Sequence, residues 1–200
     1  MKMTIKLVGT SPLVLHNNIL ADPLHEAKKA MDKLTGKRKK TDADQEEIRR
    51  LEFIASLYMD HRGPIMPMAN CRKMLIEGGK KDRNGKQFES GLLMLSDAFI
   101  EHDGPQRKPD ATDDEHEQYM SRLYGKFGWS TIVGNQKNKI VRTRPKFDEW
   151  AFEFQVELIE DLLDEPTVRM ALQKAERGVG IGDGRSIGFG RFNAKVVSVE

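Results

Sequence analysis

From residue 150 to 159 large apolar side chains fall at every second position. Trp150, Phe152, Phe154, Val156 and Leu158 stand against Ala151, Glu153, Gln155 and Glu157. A period of two puts the first set on one face of a β-strand. Residues 2–8 repeat the pattern, with Met3, Ile5 and Leu7 opposite Lys2, Thr4 and Lys6, until Gly9 to Pro12 breaks it. A closing strand begins at Phe192, where Ala194 and Val196 alternate with Asn193 and Lys195, and blurs at Val197-Ser198-Val199. Residues 92–101 predict a further strand ending in Ala98-Phe99-Ile100, and 130–133 with 139–142 predict a hairpin joined by 134–138.

Other stretches carry helical spacing. Met68, Cys71, Met74 and Leu75 follow Pro67, and Gly78-Gly79 reads as the stop. Pro166 opens a helix through Arg177 with Val168, Leu172 and Ala175 inside. Residues 21–57 read as charged helices, with Asp44 and Glu47 as a capping box ahead of Ile48, Leu51, Ile54, Ala55 and Tyr58. Residues 103–118, acidic and broken by Gly104, Pro105 and Pro109, read as an exposed loop. The core order is strand, helix, strand, strand, helix, strand. That order predicts an α+β, ferredoxin-like (RRM-like) β-α-β-β-α-β antiparallel sheet in one domain over 1–200, with large insertions at about 20–57 and 103–146.

Composition narrows the function. The chain has 200 residues with 33 basic and 31 acidic side chains, a net charge of +2, so any basic surface must arise by segregation of charge. Cys71 is the single cysteine, which excludes an intrachain disulfide, and the five histidines lack metal-ligand spacing. No apolar run reaches the roughly 20 residues of a membrane helix, and residues 1–8 lack the apolar core of a signal peptide. We expect a cytoplasmic protein with no membrane partner, cofactor or metal.

The chemistry concentrates in residues 178–190, where six glycines fall within thirteen residues. Glycines let a ligand approach the backbone, and successive N–H groups in such a loop can form an anion-binding concavity. Gly182, Gly184, Arg185, Ser186, Gly188 and Arg191 are the candidate contacts, the arginines being suited to phosphate. A dinucleotide fingerprint follows a strand and opens a helix; here the loop follows a helix and enters a strand. No Lys-Ser or Lys-Thr pair follows, so a P-loop is excluded as well.

The loop, ending in Gly188-Phe189-Gly190-Arg191-Phe192, resembles that of the RAMP superfamily, the ferredoxin-like RNA-binding proteins of CRISPR systems. Three further stretches are similar to the backbone subunits of CRISPR effector complexes. They are the turn Gly9-Thr10-Ser11-Pro12-Leu13, the Ile65-Met66-Pro67 element leading into Arg72 and Lys73, and the Arg-rich strand ahead of Phe152-x-Phe154. The resemblance implies a protein that binds single-stranded RNA or DNA and assembles along the strand as a homo-oligomer or with other effector-complex subunits. It also implies a thumb-like hairpin carrying Lys137, Lys139, Arg142 and Arg144. Two departures stand out: Met68-Ala69-Asn70-Cys71-Arg72-Lys73 replaces the family's Gly-Ser-Ser-Leu-Lys-Gly, and the charged insertion at 20–57 is unusual.

Two rival readings share this fold. One is a metal-independent endoribonuclease using His16, or Asp22 or Asp60 as an acid. The other is an interaction or inhibitor module without nucleic-acid binding. Arg72 and Lys73, near a helix start, are also placed to meet a phosphate.

Overall fold

The computed structural model describes residues 1–134 and 139–200. In chain order they form β1 (Lys2–Gly9), β2 (Leu13–Val14), α1 (Glu26–Thr35), α2 (Asp42–Ser56), β3 (Ile65–Met66), α3 (Met68–Lys80), α4 (Gly85–Gly91) and β4 (Leu92–Met94). There follow β5 (Ala98–Phe99), β6 (Glu101–His102), α5 (Asp113–Phe127), β7 (Gly128–Gly134), β8 (Lys139–Phe147), β9 (Trp150–Leu158), α6 (Glu165–Gly178) and β10 (Phe192–Val199). The chain is α+β with antiparallel sheets. It divides into two compact units, one of Met1–Val14, Gly63–Asp103 and Phe147–Glu200, the other of Leu15–Arg62 and Gly104–Lys146.

The first unit is built on a sheet of order β10-β1-β9-β4, with β6 also paired to β9. Every pairing in it is antiparallel. Alternation along β1 and β9 buries Met3, Ile5, Leu7, Phe152, Phe154, Val156 and Leu158 and turns the charged set outward. On that outward face Lys6 bridges Glu101 and Glu153, each at 3.3 Å. The buried sides of α3 (Cys71, Met74, Leu75) and α6 (Val168, Ala171, Leu172, Ala175) complete the core, and the two helices pack against each other. α6 begins with Pro166 in its first turn, as the sequence predicts, and its cap is Asp164, which accepts from the N–H of Thr167 at 2.9 Å.

Three expectations change here. The single strand over 92–101 is three short ones: Asp97, between the first two, accepts from the N–H of Met68 at 2.8 Å, and past it β5 pairs with β3 while β6 returns to β9. That bond caps α3, whose preceding Pro67 has no side-chain cap to give. Gly78-Gly79 lies inside α3, buried, and the helix runs on to Lys80. A Cβ at Gly78 would sit 2.3 Å from the Ala171 carbonyl oxygen of α6, so this glycine serves close helix packing and not termination. The blur at Val197 is a register shift: Ile5 faces Val196 while Thr4 faces Ser198, leaving Val197 as the extra residue.

The second unit joins α1, α2, α5 and the β7–β8 hairpin, whose strands pair from Gly128↔Pro145 to Gly134↔Lys139. Phe53, Ala55, Tyr119, Met120, Leu123 and Phe127 are buried, and Phe53 meets Tyr124 edge-on at 5.3 Å. The loop expected over 103–118 gives way at Asp113 to α5, opened by a reciprocal cap between Thr112 and Glu115. The cap of α2 is Thr41 with Asp44, one turn before the expected Asp44 with Glu47. Its buried side is Glu52, Phe53, Ala55 and Ser56, with Ile48, Leu51 and Ile54 half-buried and Tyr58 past its end.

Candidate functional site

α6 ends at Gly178, and the chain loops back to β10 through five glycines with positive φ, at 180, 182, 184, 188 and 190. Two of them are dictated by proximity. A Cβ on Gly190 would lie 1.7 Å from the Ile181 carbonyl oxygen, and one on Gly182 would lie 2.6 Å from that of Val14. The loop is fastened along its length. Ile181 N–H donates to Gly190 O (2.9 Å), Asp183 N–H to Val14 O (2.8 Å) and Gly190 N–H to Pro12 O (2.8 Å). Ser11 adds a double tie: its hydroxyl donates to Gly188 O and accepts from Arg191 N–H, both at 2.9 Å. The turn at 9–13 and the glycine-rich loop, 170 residues apart in sequence by rough count, thus form one structure.

Around it opens a concavity of about 660 Å³, lined by Glu77, Lys80 and Lys81 from the end of α3 and by the loop from Gly178 to Ser186 with Arg191. Its charges are four cations (Lys80, Lys81, Arg185, Arg191) and two carboxylates (Glu77, Asp183). Arg185 donates to Glu77 at 2.7 Å, each side chain about one-third exposed. Arg191 donates through Nη2 to the Arg185 carbonyl at 3.2 Å, while its buried Nη1 has no hydrogen-bond partner among the described residues. The N–H groups of Gly182, Gly184, Arg185 and Ser186 make no hydrogen bond to the described residues. Donors without acceptors among the described residues, at a concavity of net positive charge, suit a polyvalent anion. The lining holds no histidine, cysteine or tyrosine; its polar side chains are those of Glu77, Lys80, Lys81, Asp183, Arg185, Ser186 and Arg191.

Arg72 and Lys73 belong to the same side of the molecule. They line a second concavity of about 400 Å³ with Ile76, Glu77, Lys80 and Glu89, so Glu77 and Lys80 are common to both hollows. Arg72 donates to the Glu89 carbonyl, and Lys80 pairs with the Glu89 carboxylate at 3.4 Å. Glu77, Lys80 and Lys81 were not legible as site residues, because Gly78-Gly79 reads as the end of the helix that carries them. Ser11 was hidden too: only the fold shows that its turn meets the loop.

The hairpin cations have other settings. Arg142 donates to the buried carboxylate of Glu52 at 2.7 Å, whose second oxygen accepts from Thr143 N–H at 2.8 Å. Lys139 is exposed at the start of β8, Arg144 stands opposite Trp129, and Lys137 lies outside the described residues. The proposed acid–base residues are scattered within their unit. His16 is exposed and its carbonyl accepts from the Tyr58 hydroxyl at 3.1 Å. Asp22 accepts from Leu24 N–H at 2.9 Å in a local turn. Asp60 holds the backbone and guanidinium of Arg62 at 2.6–2.9 Å. Burial pushes the Asp60 carboxyl upward, but the bonds and charge of Arg62 outweigh this and leave it below the ordinary carboxylate value. Among the described residues no group of three or more His, Cys, Asp or Glu is placed to hold a metal, and no helix is long and apolar enough to cross a membrane.

Comparison with models of protein families and with curated proteins finds no match for this chain.

Proposed function

We propose that this chain is a ferredoxin-like protein of RAMP type that binds single-stranded nucleic acid, RNA in the first place, at the glycine-rich loop. The fold reading rests on the strand order β10-β1-β9-β4, all antiparallel, with α3 between the first and second core strands and α6 between the third and fourth. The observation that carries the function is the concavity itself. Four cations face two carboxylates beside four N–H groups that make no hydrogen bond to the described residues. The ligand is held by its backbone phosphates there, because the outward face of the sheet is no stacking platform. Along β1 and β9 that face presents Lys2, Thr4, Lys6, Glu153, Gln155 and Glu157, and every aromatic of β9 points into the core. Copies of the chain assemble along the strand, as the resembling backbone subunits do.

The test is fluorescence anisotropy with labelled single-stranded RNA and DNA of one sequence across a salt series. Contacts from three or four of the pocket cations give a slope of log K against log salt of about −2 to −3. Binding absent at low salt, or indifferent to salt, refutes the proposal. Labelled RNA left intact by the protein in chelator excludes the nuclease alternative.

A further inference from the structure

The concavity already contains an anion of its own. Glu77, one turn before the end of α3, places its carboxylate 2.7 Å from the Arg185 guanidinium, the one cation contributed by the loop's own tip. Arg191 braces the same residue by donating to its carbonyl, and its buried Nη1 has no partner among the described residues. Arg185 is therefore neutralised while Arg191 retains that donor. Resting on the nucleic-acid reading above, we infer that Glu77 is a specificity-determining residue. Its carboxylate stands in for a phosphate on Arg185 and must be displaced when the strand binds.

The consequence is selection by valence. A tethered carboxylate competes at high effective concentration, since it is delivered by a helix already packed in the core. A lone phosphate that takes Arg185 breaks the Glu77 pair in exchange, and it also meets the carboxylate's repulsion at close range. A strand brings several phosphates, and Lys80, Lys81 and Arg191 offer its further phosphates contacts of their own. Glu77 thus discourages inorganic phosphate and mononucleotides, which outnumber strands in any cell, while leaving oligomers able to bind.

The substitution Glu77→Gln keeps the shape and the hydrogen-bonding reach and removes the charge. Binding of inorganic phosphate, a mononucleotide and an oligouridylate ten residues long is measured by calorimetry for both proteins, beside a thermal melt. Glu77→Gln should bind phosphate and the mononucleotide about tenfold more tightly and the oligomer only about twofold to threefold more tightly, with an unchanged melt. If the wild type binds the oligomer and Glu77→Gln binds phosphate no better, or worse, Glu77 merely positions Arg185; the inference falls and the nucleic-acid reading stands. If neither protein binds the oligomer at low salt, the reading falls and the inference with it.

Discussion

Replacing Gly78 by alanine sets two effects of opposite sign against each other. In an isolated helix the change stabilises by about 1 kcal/mol, because glycine is the poorer helix former. Here the new Cβ would lie 2.3 Å from the Ala171 carbonyl oxygen and 3.1 Å from its carbon, where real Cβ atoms stay beyond 3.0 Å. Both partners are backbone inside helices, so neither can swing aside, and α3 and α6 must part by about 1 Å. A gap of that size forfeits roughly a quarter to a half of the dispersion energy of the atoms facing it, and overpacking of this kind costs about 1–3 kcal/mol. Strain offsets or outweighs propensity, and Gly78→Ala should destabilise by about 0–2 kcal/mol net. Gly125→Ala is the internal control. Gly125 sits exposed in α5 with nothing within 4 Å of its virtual Cβ, so it should show the propensity gain alone, about 0.5–1 kcal/mol. Urea unfolding of both variants gives the comparison through the midpoints at constant slope. Equal stabilisation by the two substitutions would refute the close contact of α3 with α6, and with it the placement of Lys80 and Lys81 beside the loop.

Gly190→Ala should destabilise more than Gly188→Ala in a thermal melt. Both carry positive φ, but only at 190 does the Cβ run into backbone, 1.7 Å from Ile181 O, whereas at 188 nothing lies within 4 Å and the strain is about 1 kcal/mol. Arg185→Ala should weaken single-strand binding by about 1–3 kcal/mol and flatten the salt slope by about 0.7, while costing less than about 1 kcal/mol of stability because its pair with Glu77 is partly exposed. The Asp44 carboxyl, bonded first to Lys37 and then to the Thr41 backbone, is held at about 2, below its ordinary 3.8. The cap it gives α2 is therefore complete above about pH 4 and is lost as pH falls through 2, which a carboxyl NMR titration of wild type should show and Asp44→Asn should abolish. Cys71 is fully buried and its thiol is pushed far up by desolvation, so it should react with a thiol reagent only when the protein unfolds.

Elements with one wet and one dry face were the legible ones. β9 shows its period in sequence because Phe152 and Phe154 face the core while Glu153 and Gln155 face water. The helix at α6 was equally plain, with Pro166 where a start demands it. What escaped depended on partners far along the chain. Asp97, where a strand breaks, is bonded to Met68, Gly78 reads as a stop until Ala171 is seen against it, and Val197 spoils an alternation through a bulge opposite Thr4. α5 is the exception: Thr112 and Glu115 spell its cap locally, but the acidic run and the glycine and prolines ahead of it have the composition of a loop. At the site, the glycines and Arg185 were visible from spacing alone. Glu77 and the lysines after it were not, since nothing in one dimension ties α3 to a loop about 100 residues later.

β1 is the centre of its sheet, flanked by β9 on one side and β10 on the other. During synthesis it is made first and its second neighbour last, roughly 180 residues later; at about 5–20 residues per second the delay is on the order of 10–40 s. Until β9 is made, Met3, Ile5 and Leu7 form an apolar strand with both edges open, and one edge stays open until β10 follows, the kind of segment that seeks other chains. The nascent chain should therefore be a client of holding chaperones until its last strand emerges. Its yield on expression should fall when translation slows between residues 158 and 192, with no codon in β1 altered.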